Sequence, residues 1–351
     1  MKKIYLSEME EDMILAKDIL GPYDQLLIAR GTRLNENVMD KIKELGIRYI
    51  YIIGDLKKEV SKDEYKEKIK EERRLKEKYA ESLNKFKDVY NEVQLGKKIE
   101  TEIVEESVAD LVENVVLNNN VLKRLRETHV VDDYTYTHSI NVCVLATMIG
   151  KWLNYSQDKL DKLALAAFLH DIGKAKVKRE ILYKPGRLTR EECSEMKRHA
   201  EYGYKLVQND DKLDFNVCCG ILQHHERFDG SGYPYGLKSE RIHEFARIIA
   251  IADVFDAMTS KRVYKDKESP FKVAEEIESE GYGKLDPYIC NIFLWNISKF
   301  YVGNVVKLSD GKIGKIVLVN KQRPTRPLIK VGENFVDLLK MPQISIVEVV
   351  E

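Results

Sequence analysis

Seven histidines occur in the 351 residues. His138, His170, His199, His224 and His225 fall on or at the ends of stretches with helical periodicity. Asp171 directly follows His170, and Asp253 lies in the apolar run from Ile248 to Met258. Imidazole and carboxylate together, without thiolate, suit iron, manganese or similar divalent ions, or a zinc site lacking cysteine. A lone histidine on an apolar face is usually a hydrogen-bonded core residue, but five with two aspartates are harder to place that way. An ionised Asp253 among isoleucine, alanine, valine and phenylalanine is costly unless paired or metal-bound. Successive residues on a helix turn by about 100°, so adjacent ligands converge only where a helix ends. His170-Asp171 runs into Ile172-Gly173 and His224-His225 runs into the loop from Glu226 to Pro234, so both dyads sit where such a turn is expected. An aspartate has two oxygens and can bridge two metals. Two metals roughly 3.5–4 Å apart are the usual device for hydrolysing phosphate esters, with a bridging hydroxide attacking phosphorus while the ions stabilise charge on the other oxygens.

The elements that must position these groups are mostly helical. Ser139–Leu153, Asp158–Leu169, Arg190–Val207 and Asn216–Gln223 carry helical periodicity, as do Val104, Val108, Leu111, Val112 and Val115. Thr189 with Glu192 makes a capping box ahead of the third of these. Lys184-Pro185-Gly186 and Asp229-Gly230-Ser231-Gly232 mark loops. Residues 99–300 are therefore expected to form a helical bundle with its own core. Residues 1–57 read as a small α/β domain, with strands at Met13–Leu15, Leu26–Ala29 and Tyr49–Ile53 and a helix at Asn35–Leu45 closed by Gly46. Residues 58–98 read as a charged helical linker with a stripe at Tyr79, Leu83, Phe86, Tyr90 and Val93, ended by Gly96. Two readings stay open for that stripe: a coiled-coil seam forming a homodimer, or a face packed on its own chain. Residues 301–351 switch to period two, with Val305–Leu308, an Asp310-Gly311 turn, Ile313–Val319 and Ile344–Val350 as strands of a small β module.

Composition narrows the function classes. Lys+Arg and Asp+Glu are equal at 58 each, which argues against a nucleic-acid polymer as partner. Apolar runs are far shorter than the roughly 20 residues of a membrane span. Five cysteines without a C-x-x-C pair fit reduced thiols in the cytoplasm. Met1-Lys2-Lys3 leads into mixed polar sequence, so no secretory leader is expected.

At this point the motifs carry a family resemblance. His170-Asp171-Ile172-Gly173-Lys174 resembles the HD signature of the HD phosphohydrolase superfamily. His224-His225-Glu226-Arg227-Phe228-Asp229-Gly230-Ser231-Gly232-Tyr233-Pro234 resembles the HHE…GYP signature of its HD-GYP branch. The segments from Asp253 to Lys265 and from Lys184 to Val207, with His199 and Gly203, are similar to the same branch. The likeness spans about residues 105–300. It implies a mainly α, HD-type helical bundle and a bacterial phosphodiesterase in signal transduction. The substrate would be cyclic di-GMP, opened to pGpG and in many members taken on to GMP. It implies a two- or three-metal centre, commonly iron, with manganese often active. By motif, His138, His170, Asp171 and Asp253 would bind one metal or the bridging position. His199, His224 and His225 would complete the second, with Asp171 shared. Lys174 would face the scissile phosphate, and Tyr233, Arg262 and Lys265 would contact the ligand phosphates or bases.

Two positions depart from the pattern. Three-metal members carry a glutamate four residues before the first histidine, where this chain has Tyr134, so two metals are expected. Val263 follows Arg262 where proline is common. The alternatives are a catalytically weak cyclic di-GMP receptor, or an HD hydrolase of another cyclic dinucleotide. A receptor with a dead centre would have lost a ligand, and all seven positions are filled. Of the remaining residues, His129, after a charged stretch, is not read as a ligand, His243 reads as a surface group, and Trp152 and Trp295 read as packing residues. Glu226 reads either as orienting a metal-bound histidine or as a helix-end surface residue.

Overall fold

The computed structural model describes residues 2–11, 13–20, 26–53, 62–115, 134–208, 210, 213–260 and 269–350. The chain divides into two compact units, one of residues 1–70 with 332–335, the other of residues 71–331 with 336–351.

The smaller unit is a three-stranded antiparallel sheet in the order β1 (Lys2–Tyr5), β5 (Tyr49–Ile53), β2 (Ile14–Leu15). Ile50 and Ile52 alternate inward while Tyr49 is exposed, the period that a half-buried strand requires. A second hairpin pairs β3 (Ile19–Leu20) with β4 (Leu26–Ile28). Helix α1 (Glu36–Glu44) starts where the Asn35 side chain accepts from the Val38 N–H at 2.9 Å, and it buries Ile42. Gly46, at φ +66°, lets the chain leave the helix in the left-handed region. Ile4, Leu15, Leu34, Ile42, Ile50 and Ile52 belong to its core.

The larger unit is the helical bundle. Helix α2 (Lys62–Gln94) belongs to it from Glu71 onward, and α3 runs Thr101–Val115. Phe86, Tyr90 and Val93 of the stripe are fully buried in this unit, and Phe86 meets Phe168 edge-on at 5.0 Å. From Tyr79 to Val93 that face is thus spent on its own chain. Helix α4 (Tyr134–Trp152) is buried nearly all round, and α5 (Gln157–Leu169) becomes so from Leu163 onward, as weak amphipathicity requires of central helices. Helices α6 (Arg179–Leu182), α7 (Arg190–Lys197), α8 (His199–Val207), α9 (Phe215–Gln223) and α10 (Glu244–Thr259) follow. Next come α11 (Pro270–Lys284) and α12 (Pro287–Phe300).

The expected single helix Arg190–Val207 is two helices. At Arg198 (ψ −10°) the N–H bonds back to Glu195 O three residues away, which interrupts the helix before His199. The Thr189–Glu192 capping box is present. His243, read as a surface group, is half-buried: it caps α10 by accepting from Phe245 N–H at 3.2 Å and bonds Asn216 Oδ1 through Nε2 at 2.9 Å.

A five-stranded antiparallel sheet follows the bundle in the order β10 (Ile346–Val350), β6 (Val305–Leu308), β7 (Ile313–Leu318), β8 (Leu328–Val331), β9 (Asn334–Asp337). Val306, Leu308, Ile316, Ile329 and Ile346 share one apolar cluster with α12 residues Phe293 and Ile297. Thr325 Oγ1 donates to Glu278 at 2.6 Å and Arg326 pairs with Glu275 at 3.2 Å, tying the sheet to α11. Among the described residues, no helix is long and apolar enough to cross a membrane.

Candidate metal centre

The centre is built where helices end. Helix α5 stops at Leu169, His170 is its C-cap, and Asp171 (φ −100°, ψ 4°) turns into a 3₁₀ segment, Ile172–Lys176. That turn lets both side chains of the dyad face inward. Helix α9 likewise stops at Gln223 with His224 as C-cap. His199 opens α8, His138 lies in the second turn of α4, and Asp253 lies in α10. Gly173 makes the approach of α8 to the dyad feasible, since a Cβ there would lie 1.9 Å from His199 O and 2.4 Å from Gly203 N.

Asp171 stands at the middle. Its Oδ1 lies 3.3 Å from His199 Nε2 and 3.9 Å from His224 Nε2. Its Oδ2 lies 3.4 Å from His170 Nε2 and 3.8 Å from His138 Nε2. Two donor sets therefore share one carboxylate: His138, His170 and Asp171, and Asp171, His199, His224 and His225, each with ligand atoms within 4.8 Å of one another. Asp253 lies between them, Oδ1 at 3.1 Å from His138 Nε2 and Oδ2 at 3.9 Å from His225 Nδ1.

The tautomers are set from behind. His170, His199 and His224 each donate Nδ1–H to the carbonyl three residues earlier, on Ala167, Met196 and Ile221, all at 2.7 Å. His138 Nδ1 bonds Asp256 Oδ2 at 2.7 Å. The Nε2 lone pairs are thus left for the interior, the arrangement that metal-ligating histidines need. His170 Nε2 and Asp171 Oδ1 are buried without a hydrogen-bond partner, a costly state that a cation resolves. Charge states agree. Burial pushes His199 below the ordinary imidazole range, and His224 and His225 well below it. Burial would raise Asp171 and Asp253. The Lys174 ammonium and His170 beside Asp171, and the His138 hydrogen bond to Asp253, instead hold both well below the usual carboxylate range. His138 is the exception: burial is outweighed by hydrogen bonds to Asp253 and Asp256, which raise it to about 9, so in the metal-free centre it is an imidazolium and must give up its Nε2 proton to ligate a cation. The all-nitrogen-and-oxygen donor set fits a hard or intermediate divalent ion.

Lys174 Nζ sits 2.5 Å from Asp171 Oδ2. The Tyr233 ring stacks on His225 with centroids 4.7 Å apart, and Lys197 Nζ lies 5.1 Å from the Tyr233 centroid. Burial, then the facing charges of Asp171 and Asp253, push the Tyr233 phenol up, so it is a neutral donor. The Tyr233–Pro234 peptide is cis. Arg262 and Lys265, with His129 and Val263, lie outside the described residues.

Two buried acids join the site that the motif reading did not assign. Asp256 accepts from His138, from Asn141 Nδ2 at 2.8 Å and from Ser260 Oγ at 3.0 Å. Its signal was its spacing of three from Asp253, which places both on one face of α10. Glu226 is buried, and among the described residues its bonds go to backbone rather than to a histidine. Its carboxylate accepts the backbone N–H of Tyr235 at 2.7 Å and of Leu237 at 2.9 Å, fixing the loop that carries Tyr233. Trp152 packs against Phe293 and Phe300, and the Lys299 ammonium lies over the half-buried Trp295 ring.

Comparison with known proteins gives the same frame. A family profile described as HD domain matches residues 108–289. A protein of Pseudomonas aeruginosa named cyclic di-GMP phosphodiesterase is 33% identical over 73% of this chain and 61% of its own length. A Vibrio cholerae protein named 3'3'-cGAMP-specific phosphodiesterase 2 is 33% identical over 56% of this chain and 36% of its own length. This chain thus spans less than two thirds of either relative. The solved structure of an HDG"Y"P protein from Bdellovibrio bacteriovorus, 17% identical, covers 83% of this chain and 97% of that one at a TM-score of 0.51, a likeness of fold.

Proposed function

Because this chain belongs to the HD domain family, in its HD-GYP branch, we propose that its histidine–aspartate centre hydrolyses cyclic di-GMP to pGpG. The carrying observation is Asp171, whose two oxygens each face a separate set of imidazoles. Two divalent ions fit that arrangement, iron first and manganese second. His138, His170, Asp171 and Asp253 would hold one, and His199, His224 and His225 the other with Asp171 shared. Such ions, when bound, supply Lewis acidity toward a phosphodiester and its attacking water.

The chain's own groups supply the rest. Asp171 and Asp253 carry the negative charge that offsets the cations, and the Nδ1 hydrogen bonds hold the imidazoles in one orientation. Lys174, next to Asp171, is placed to meet a phosphate oxygen as a point charge. Tyr233 offers its O–H to the substrate from a ring held on His225. Arg262 and Lys265 belong to the same substrate-binding reading. Residues 99–300 act as the catalytic domain, with 1–57, 58–98 and 301–351 as accessory parts of a cytoplasmic protein. Homodimerisation belongs to this reading only through a face other than the Tyr79–Val93 stripe.

A second reading, hydrolysis of a mixed guanine–adenine cyclic dinucleotide, is favoured by the similarity to a relative named for that substrate. Product analysis tests both. The parent protein, purified with its metals, is expected to release pGpG from cyclic di-GMP, and Asp171→Ala to release less than about 1% of it. Tyr134 at the glutamate position of three-metal members leads us to expect little onward GMP. Parental turnover by Asp171→Ala would overturn the assignment.

A further inference from the structure

Helix α2, which reads in sequence as a linker, reaches the metal centre through a series of hydrogen bonds. The Tyr79 hydroxyl donates to Asn141 Oδ1 at 2.8 Å. Asn141 Nδ2 donates to Asp256 Oδ1 at 2.8 Å, and His138 Nδ1 donates to Asp256 Oδ2 at 2.7 Å. Side chains of α2, α4 and α10 thus stand one behind another at the back of a single ligand. The direction of the series follows from its inner end. A carboxylate only accepts, so Asn141 must turn its amide nitrogen toward Asp256. Its Oδ1 then faces Tyr79 and takes the hydroxyl proton. That donation polarises the amide and strengthens the bond it makes onward. Asn141 and Asp256 are buried, so removing the hydroxyl takes a donor from an amide that water does not reach freely.

Further contacts keep α2 in place for this. Lys176 Nζ donates to the Val93 carbonyl at 2.6 Å. Lys176 closes the 3₁₀ segment that follows Asp171, and Val93 lies in the last turn of α2. Between Tyr79 and Val93, Phe86 meets Phe168, two residues ahead of His170, and Tyr90 meets Tyr136 edge-on at 5.3 Å, two residues ahead of His138. The helix is therefore seated against the elements that carry His138, His170 and Asp171.

We propose that Tyr79 is a positioning residue of the centre: through Asn141 and Asp256 it holds the His138 ring in the orientation that a bound cation requires. The proposal rests on the reading of His138 as a metal ligand. It places a residue of the charged linker in the metal centre's hydrogen-bond network.

The test is a manganese titration of the full-length protein after chelation, read as bound metal per chain by equilibrium dialysis. Tyr79→Phe keeps the ring and removes the hydroxyl, and it is expected to weaken the binding of one manganese ion by about 2–10-fold. In an Asp256→Ala background the same substitution is expected to add nothing, because the link is already cut. Leu83→Ala, one turn along the same face, is expected to lower the melting temperature and leave manganese affinity at the parental value. Should Tyr79→Phe not fold, Tyr79→Leu carries the same expectations. Unchanged manganese affinity in the folded Tyr79 variant would overturn the proposal. So would an equal loss in the Asp256→Ala background, or an equal loss in Leu83→Ala, which would make the effect one of packing. A parent that binds no manganese would overturn the metal reading and this role with it. The titration uses no substrate, so failure of the parent to hydrolyse cyclic di-GMP would overturn the phosphodiesterase reading and leave the positioning role to be decided by metal affinity alone.

Discussion

At the scale of single residues, the centre depends on groups that touch no substrate. Asp256 fixes the His138 ring from behind, while Asn141 and Ser260 hold Asp256. Carboxylates in that position typically carry 10–100-fold in metal affinity. Asp256→Ala is therefore expected to weaken retention of the ion at His138 by that factor, read as bound metal per chain after dialysis. Activity should return when metal is supplied in excess. The residue types of the centre were legible from the start, since burying five imidazoles and two carboxylates among aliphatic side chains is costly unless they hold a cation. Asp256 and Glu226 were less so. A buried acid that serves a hydrogen-bond network looks, in sequence, like any acid on a helix or at its end.

At the scale of elements, what matters is where helices stop. The dyads were readable as helix ends because adjacent ligands cannot share a helix face. The break at Arg198 was not, because the apolar periodicity of Arg190–Val207 runs on through it and no glycine or proline announces it. Gly173 sets the closeness of two elements. Gly173→Ala would drive a methyl into the His199 carbonyl, so a loss of about 1–3 kcal/mol in stability and of nearly all activity is expected, measured by denaturant unfolding and turnover. Glu226 sets a loop. Glu226→Ala would leave the N–H groups of Tyr235 and Leu237 without their acceptor, and we expect KM for the dinucleotide to rise several-fold while bound metal is unchanged.

At the scale of the whole molecule, the larger unit runs on one continuous apolar cluster from α2 through the bundle to the C-terminal sheet. The switch from helical periodicity to period two revealed that sheet, but sequence did not tell that it would share the bundle's core, because burial partners are long-range. Removing divalent ions with a chelator is expected to lower the melting temperature of this unit by about 3–10 °C, as loss of a ligand bound only to the folded state requires. Readdition of manganese should restore it, and a scan unmoved by chelation would count against a metal in this core. The bonds that aim the imidazoles have a further effect. Ala167, Met196 and Ile221 lie in the last turns of α5, α7 and α9, where the helix satisfies its carbonyls least. Each histidine is thus at once a ligand and a bond to a helix end, His170 and His224 as the C-caps of α5 and α9 and His199 at the junction of α7 and α8. Fraying at any of those three ends would swing one ligand out of line, so the helix tips are the places where amide hydrogen exchange should speed up first when the ions leave.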